Sequence, residues 1–128
     1  MPVFYKKVQR STPSDKGERK WYAVLKRISM VKEKEVAVRI ADETTLNPKE
    51  AEMALAQFEK ILIYELMNGN SVQMGDWGSF YLTCNSEGKD TREKVNANSI
   101  QKVNVRFIAG KSLKEALKKI SFKDADAL

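Results

Sequence analysis

The sequence predicts an α+β fold with two helices, an antiparallel β-sheet that carries a protruding β-arm, a short C-terminal helix and an N-terminal β-hairpin. Three observations support this prediction. The chain opens with strand-like segments, continues at helical spacing, and then places strands around a polar excursion before a last amphipathic stretch. Its 128 residues suffice for one domain and an appendage, which we place at residues 29–120 and 1–28, with a frayed tail at 121–128.

The N-terminal hairpin is predicted from two strand-like segments around a turn. Residues 3–10 are rich in aromatic and branched side chains, and residues 11–17 contain the Pro, Asp and Gly of a bend. Residues 20–28 alternate between a face with Trp21, Ala23 and Leu25 and a face with Tyr22, Val24 and Lys26. A lone hairpin is marginal in water, so we expect this one to pack against another part of the protein.

Two helices are predicted next. Ser29 is a suitable cap for a helix over residues 31–44. The second helix, residues 48–68, has a strong start signal, because Asn47 can cap it, a proline occupies its first position and Glu50 occupies the reciprocal capping position. A glycine then ends it.

The second helix is more apolar than a helix covering one hairpin needs to be. Its apolar side chains form one broad band, composed of Ala51, Ala54, Leu55, Phe58, Ile61, Leu62 and Leu66. Two interpretations remain open, namely burial from two sides by an identical partner and a central position in a monomeric α+β core.

Strands are predicted over residues 71–74, 79–83 and 99–108, and a last helix over residues 111–120. Gly75 and Gly78 flank the turn between the first two of these strands. After this turn we expect Trp77 and Phe80 to anchor the sheet in the core rather than to stack on bases.

The net positive charge of the chain favours a polyanionic partner, although proteins that bind no polyanion can have a similar charge. There are 23 Lys and Arg against 17 Asp and Glu, a net charge of +6. Residues 1–34 sum to +7, residues 35–70 to −4, residues 71–98 to −1 and residues 99–128 to +4. The two ends are therefore basic, and the central helical stretch is acidic.

The composition argues against an enzyme, a bound cofactor and a metal site. Without histidine, the Ser-His and Cys-His nucleophile pairs and His-based metal sites are impossible. The single Cys84 rules out an internal disulfide, and we expect it to be a buried, inert thiol. No apolar run has the length of a membrane span, so the cytoplasm is the expected compartment.

Basic residues of the C-terminal third are the candidate DNA-binding residues. Lys111, Lys114 and Lys118 recur at helical spacing, and the first turn of their helix is expected to offer free backbone N–H groups to a phosphate. The remaining candidates lie on the preceding strand and on the polar excursion of residues 85–98: Lys89, Arg92, Lys94, Lys102 and Arg106. Two alternatives without DNA binding remain open. The helix lysines could form an ordinary solvated face, and the excursion could be a flexible hairpin tip, since its Glu87, Asp90 and Glu93 would repel phosphate.

From about Ile28 to Ile120 the chain resembles the HU/IHF family of bacterial histone-like, DNA-bending proteins. The similarity is carried, in order, by the segments at residues 46–51, 69–72, 75–80 and 105–117, which read LNPKEA, GNSV, GDWGSF and VRFIAGKSLKEAL. The N-terminal hairpin is an addition to that pattern, and it makes the chain look like the longer HU-like proteins of Bacteroides-type bacteria.

The resemblance implies an intertwined homodimer that clasps double-stranded DNA with two β-arms through the minor groove. It implies that Lys111 and Lys114 meet phosphates, that Gly75 and Gly78 shape a turn, and that Phe80 and Phe107 pack in the core. The family's arm usually carries a proline that wedges between base pairs, but here no proline follows Pro48. We therefore expect weaker bending and binding dominated by phosphate charge.

Three functions follow as hypotheses. The first is a non-catalytic, nucleoid-associated homodimer that binds double-stranded DNA largely regardless of sequence. The second is an HU-like scaffold for protein–protein interaction with weak or no DNA binding. The third is single-stranded nucleic-acid binding by the hairpin, whose aromatic residues interleave with lysines and arginines, although ordinary half-buried strands show the same pattern.

Overall fold

The computed structural model describes residues 1–11 and 17–127, and the chain divides into two compact units. One unit comprises residues 1–32 together with 116–128, and the other comprises residues 33–115. The predicted α+β class is confirmed, because the described residues contain three helices and two mainly antiparallel sheets.

In chain order, the helices and strands are β1 (Val3–Ser11), β2 (Arg19–Leu25), α1 (Glu33–Glu43), α2 (Pro48–Met67), β3 (Val72–Met74), β4 (Gly78–Ser86), β5 (Ile100–Ala109), α3 (Lys111–Leu117) and β6 (Phe122–Asp124). Short 3₁₀ turns cover Arg92–Lys94, Ala97–Ser99 and Ala125–Ala127. Within the described ranges, neither α2 nor a shorter helix combines the length and hydropathy of a membrane span.

The first unit is built on a three-stranded sheet of order β2-β1-β6. β1 and β2 pair antiparallel, with Val8 opposite Tyr22 and Gln9 opposite Trp21. Most of the expected turn between them, residues 12–16, lies outside the described residues. The expected alternation of the second strand is present, since Tyr22 and Val24 are half-buried while Trp21 on the opposite face is exposed.

The C-terminal tail is part of this sheet, so the expectation that residues 121–128 fray is wrong for the described part of the tail. β6 runs parallel to β1, and the Val3 N–H donates to the Ser121 carbonyl at 2.8 Å. The Lys7 ammonium lies 2.9 Å from an Asp124 carboxylate oxygen. Hydrogen bonds from Lys7 and from the Asp126 backbone lower the pKa of Asp124 below its usual value.

The second unit begins with α1 and α2, and the start of α2 is as the sequence predicts. The Asn47 side chain accepts from the Glu50 N–H at 2.8 Å, and the Glu50 carboxylate accepts from the Asn47 N–H at 3.0 Å. This reciprocal pair satisfies two of the backbone donors that a helix start leaves without partners. At the other end the chain turns at Gly69, whose φ of +84° is favourable for glycine.

The second unit continues with a sheet of order β3-β4-β5, organised around a small aromatic cluster. The ring centroids of Phe80 and Phe107 are 5.1 Å apart, and those of Trp77 and Phe107 are 5.7 Å apart. The expected core position holds in part for Phe80, which is half-buried, but not for Trp77 and Phe107, which each keep 43% of their surface. Gly75 has a φ of +53°, as a turn glycine should, whereas Gly78 is required for space, because a Cβ there would overlap the Phe107 ring.

The cores of the described residues are small for their length. Only Ala37, Ala51 and Leu66 are buried hydrophobic residues among them. Many large apolar side chains of α2 and β5 remain exposed instead, a pattern that is uncommon in a monomer and typical of surfaces that bind another protein.

Candidate nucleic-acid interface

The β4–β5 ribbon is the longest antiparallel pair of the second unit. Its register runs from Gly78 opposite Ala109 to Asn85 opposite Lys102, with an irregularity at the Ser86 end. Because directly opposed residues point to the same side of a sheet, this register assigns every ribbon residue to one of two faces.

One face of the ribbon is polar and basic. β4 contributes Ser79, Tyr81, Thr83 and Asn85 to it, and β5 contributes Lys102, Asn104, Arg106 and Ile108. The Asn104 amide donates to the Asn85 side-chain oxygen at 3.1 Å across this face. Lys102 and Arg106 are both exposed, and neither strand contains an Asp or a Glu. The structure thus brings these two predicted site residues to the same face.

The opposite face, which we call the apolar ribbon face, is formed by Phe80, Leu82, Cys84, Val103, Val105 and Phe107. Its outer part is uncovered, and Val105 keeps 61% of its surface. Cys84 is exposed here, so the expectation of a buried thiol is wrong. The reason is that β4 extends to Ser86 rather than ending near Thr83, which carries Cys84 out along the ribbon.

The start of α3 is fixed to the turn before β4. The Gly110 N–H donates to the Trp77 carbonyl at 2.8 Å, and the Ser112 N–H donates to the Asp76 carbonyl at 3.1 Å. The backbone at Gly110 lies so close to this turn that a Cβ on Gly110 would overlap the Asp76 carbonyl oxygen. Since Asp76 already occupies the Ser112 donor, the expected set of free N–H groups at this helix start is incomplete.

Lys111 and Lys114 lie one turn apart on α3 and are exposed, so they share a face of the helix as predicted. The helix ends at Leu117 rather than near Ile120, and Lys118 lies in the turn that follows, stabilised by the Lys119 N–H donating to the Ala116 carbonyl at 3.1 Å.

Hydrogen bonds between its own polar groups hold the polar excursion in place. The Glu87 N–H donates to the Ser99 carbonyl at 2.8 Å, and the buried Ser99 hydroxyl accepts from the Asn96 N–H at 3.1 Å. Its three cations are exposed, but the Lys89 ammonium lies 3.4 Å from a Glu87 carboxylate oxygen. With Arg92 and Lys94 opposed by Asp90 and Glu93, the excursion is neutral overall.

α2 has an exposed apolar band, which adds to the uncovered apolar surface of the second unit. Met53 and Tyr64 are each 66% exposed and Met67 is 80% exposed, and Ile61 and Ile63 each keep about half of their surface. The half-buried side of the helix carries Leu55, Phe58 and Leu62 instead. The helix is therefore apolar around more of its circumference than its own unit covers.

Two groups of this site are absent from the sequence prediction. The apolar ribbon face could have been found, because Val103, Val105 and Phe107 alternate with Lys102, Asn104 and Arg106 at the period of a strand. The close contact of Gly110 with Asp76 had no local signal, since it joins residues 34 positions apart whose proximity depends on the folded sheet.

Comparisons with known proteins agree with this architecture. A family model described as an HU domain fused to a winged helix–turn–helix, Ig or glycine-rich motif matches residues 1–124. The match includes β1 and β2, so the family pattern extends further than the expected Ile28 to Ile120. No curated protein matches the chain.

Two solved structures are similar in fold. A bacterial protein from Bacteroides vulgatus ATCC 8482, for which DNA binding is suggested, matches with a TM-score of 0.67 and 17% identity over 96% of this chain and 48% of that chain. The present chain thus spans about half of its length. An HU–DNA cocrystal structure from Anabaena matches with a TM-score of 0.55 and 20% identity over 70% of this chain and 99% of that chain.

Proposed function

We propose that this chain, which belongs to the family of HU domains fused to a winged helix–turn–helix, Ig or glycine-rich motif, is a nucleoid-associated protein that binds double-stranded DNA. The binding would be non-catalytic, largely independent of sequence and carried out by a cytoplasmic homodimer. HU-family architectural proteins are generally non-enzymatic, and one is known in complex with DNA. The observation that carries the proposal is the two-faced β4–β5 ribbon.

The apolar ribbon face and the exposed band of α2 support a homodimer. Both surfaces are apolar and exposed to water. Burying them against a partner would contribute roughly 25 cal/mol of favourable free energy for every Å² covered. A second copy supplies the same two surfaces, so a twofold-symmetric pair can cover the ribbon of one protomer and the helix of the other. This favours the first of the two sequence interpretations of α2.

The polar ribbon face supports duplex binding. Lys102 and Arg106 lie four residues apart on β5, on a face free of carboxylates, and Lys111 and Lys114 follow on α3. Each of these cations can neutralise a phosphate without reading a base, which favours binding regardless of sequence. The neutral excursion, whose Lys89 is paired with Glu87, contributes less than the resemblance implies. Bending is expected to be weak, because the excursion also lacks a wedging proline.

The salt dependence of duplex affinity tests the proposal. If each protomer engages about four phosphates, a dimer engages about eight, and the slope of log K against log salt is expected to be about −7. Fluorescence anisotropy with a labelled duplex of about two helical turns, titrated at several salt concentrations, measures it. A slope near zero would refute the electrostatic mechanism.

A second candidate function is a scaffold for protein partners, favoured by the balanced charges of the excursion. Under this alternative, a gel-shift titration at low salt would show no duplex complex at micromolar dimer. A clear shift under those conditions favours the DNA-binding proposal.

A further inference from the structure

The net positive charge of the protein resides in the unit built on β1, β2 and β6. Residues 1–32 and 116–128 contain twelve Lys and Arg against four Asp and Glu, a net charge of +8. Residues 33–115 contain eleven against thirteen, a net charge of −2. The two sums give the +6 of the whole chain. The unit outside the candidate duplex interface is therefore the one with the stronger attraction for a polyanion.

One face of this sheet is half-buried, and the other is exposed at β2 and at Phe122 but half-buried at Val3 and Tyr5 of β1. Phe4, Val8, Tyr22 and Val24 form the half-buried face. The register assigns Tyr5, Trp21, Leu25 and Phe122 to the opposite side, which we call the Trp21 face. Trp21 keeps 68% of its surface there and Phe122 keeps 60%. Because the Trp21 indole is mostly exposed, it contributes little of the folding free energy that its burial would give.

Cations flank Trp21 on the same face. Arg19 precedes it by two residues on β2, and both point to the same side of the strand. Lys7 is the diagonal neighbour of Trp21 across the β1–β2 pair, next to the directly opposed Gln9. The Asp124 carboxylate also lies on this face, but it is neutralised by its ion pair with Lys7. Arg19 lies beside Trp21 on this face, opposite Ser11 of β1, and Glu18 immediately precedes it in the chain.

We propose that the Trp21 face binds single-stranded nucleic acid, by stacking an unpaired base on the Trp21 indole and neutralising the adjacent phosphate with Arg19. An exposed aromatic ring on a basic sheet offers what a single strand requires, since every base has a π-face and every nucleotide has a charge. A duplex offers no free base face to stack on. A neutral protein partner would cover the apolar groups but would leave the Arg19 charge without a counterpart.

The test uses the whole chain and labelled oligonucleotides of about 15 nucleotides, namely oligo(dT), oligo(U) and a DNA duplex of equal length. We expect Trp21→Ala to weaken binding of both single strands by about 5- to 150-fold, the range of one lost stacking contact. Similar losses for oligo(dT) and oligo(U) are expected, because stacking does not depend on the sugar. Duplex affinity should change by less than about twofold, which separates this site from the proposed duplex interface.

Leu25→Ala is the matched control, since Leu25 lies on the same face, is 58% exposed and has no π-system. It should leave single-strand affinity within about twofold, and Trp21→Phe should retain most of it. Equal losses for Trp21→Ala and Leu25→Ala would overturn the proposal in favour of a generic apolar contact. Unchanged binding in Trp21→Ala, or no binding of either single strand by the natural chain at low salt, would also overturn it.

Discussion

Replacing Lys111 and Lys114 together by glutamate is expected to abolish the duplex complex at micromolar protein. A dimer would lose four phosphate contacts and gain four negative charges facing the same phosphates. If eight contacts give a slope of about −7, the four that remain should reduce it to between about −3 and −4. Anisotropy titrations at several salt concentrations, extended above micromolar protein for the variant, measure both the affinity and the slope.

The matched control is the double variant Lys34→Glu/Lys49→Glu, which changes net charge by the same amount in the same unit. Lys34 and Lys49 line an open groove between the start of α1 and α2, beside Glu33 and Glu52. This variant should weaken duplex binding only modestly, through the general field of the protein. Equal losses in the two double variants would mean that total charge, rather than the α3 lysines, governs binding.

Gly110→Ala is expected to destabilise the second unit. The new Cβ would overlap the Asp76 carbonyl oxygen and would lie 2.7 Å from the Asp76 carbonyl carbon and 3.0 Å from that of Trp77. These are backbone atoms, so no side-chain rotation relieves the overlap. Overpacking of this kind costs about 1–3 kcal/mol, and it also threatens the hydrogen bonds from Gly110 to Trp77 and from Ser112 to Asp76.

Thermal or urea denaturation followed by circular dichroism checks this expectation. Gly88→Ala is the control, because no atom lies within 4 Å of a Cβ at Gly88 and its φ is not positive. It should leave the free energy of unfolding within about 0.5 kcal/mol. Gly110→Ala should also weaken duplex binding without removing a charge, since it displaces the helix start that carries Lys111 and Lys114. Equal free energies of unfolding for the two variants would mean that the turn at Asp76 moves to accommodate the added Cβ without a measurable cost.

Local signals account for the parts of the fold that were predicted correctly. The cap formed by Asn47 and Glu50 depends on residues three positions apart, so it can be read from the sequence and is present in the structure. The β4–β5 ribbon follows likewise from two strand-like segments around a polar excursion.

Some of the wrong predictions concern contacts between residues distant in sequence. β6 was expected to fray, because its three residues carry no strand signal until β1, more than 110 positions away, supplies the pairing. α3 also ends earlier than predicted, at Leu117, in a local turn where the Lys119 N–H donates to the Ala116 carbonyl; the helical spacing of Lys111, Lys114 and Lys118 does not reveal this turn. Cys84 became exposed because the register of β4 on β5, rather than composition, decides how far the ribbon extends.

The division of charge gives the candidate interfaces different physical characters. On the ribbon, a few cations are concentrated on one carboxylate-free face of a unit that is slightly acidic as a whole. In the other unit the positive charge is abundant, and Arg19 and Lys7 lie on the same sheet face as the exposed Trp21 ring. The first arrangement suits a regular phosphate backbone, whereas the second suits flexible strands with accessible bases.

The mass of the protein–duplex complex tests the central claim most directly. Light scattering on a mixture with a duplex of about two helical turns should show one duplex bound to two copies of the 14.6 kDa chain, and the protein alone should have the mass of a dimer. A chain that remains monomeric with and without duplex, and leaves the duplex at its free mass, would contradict the claim.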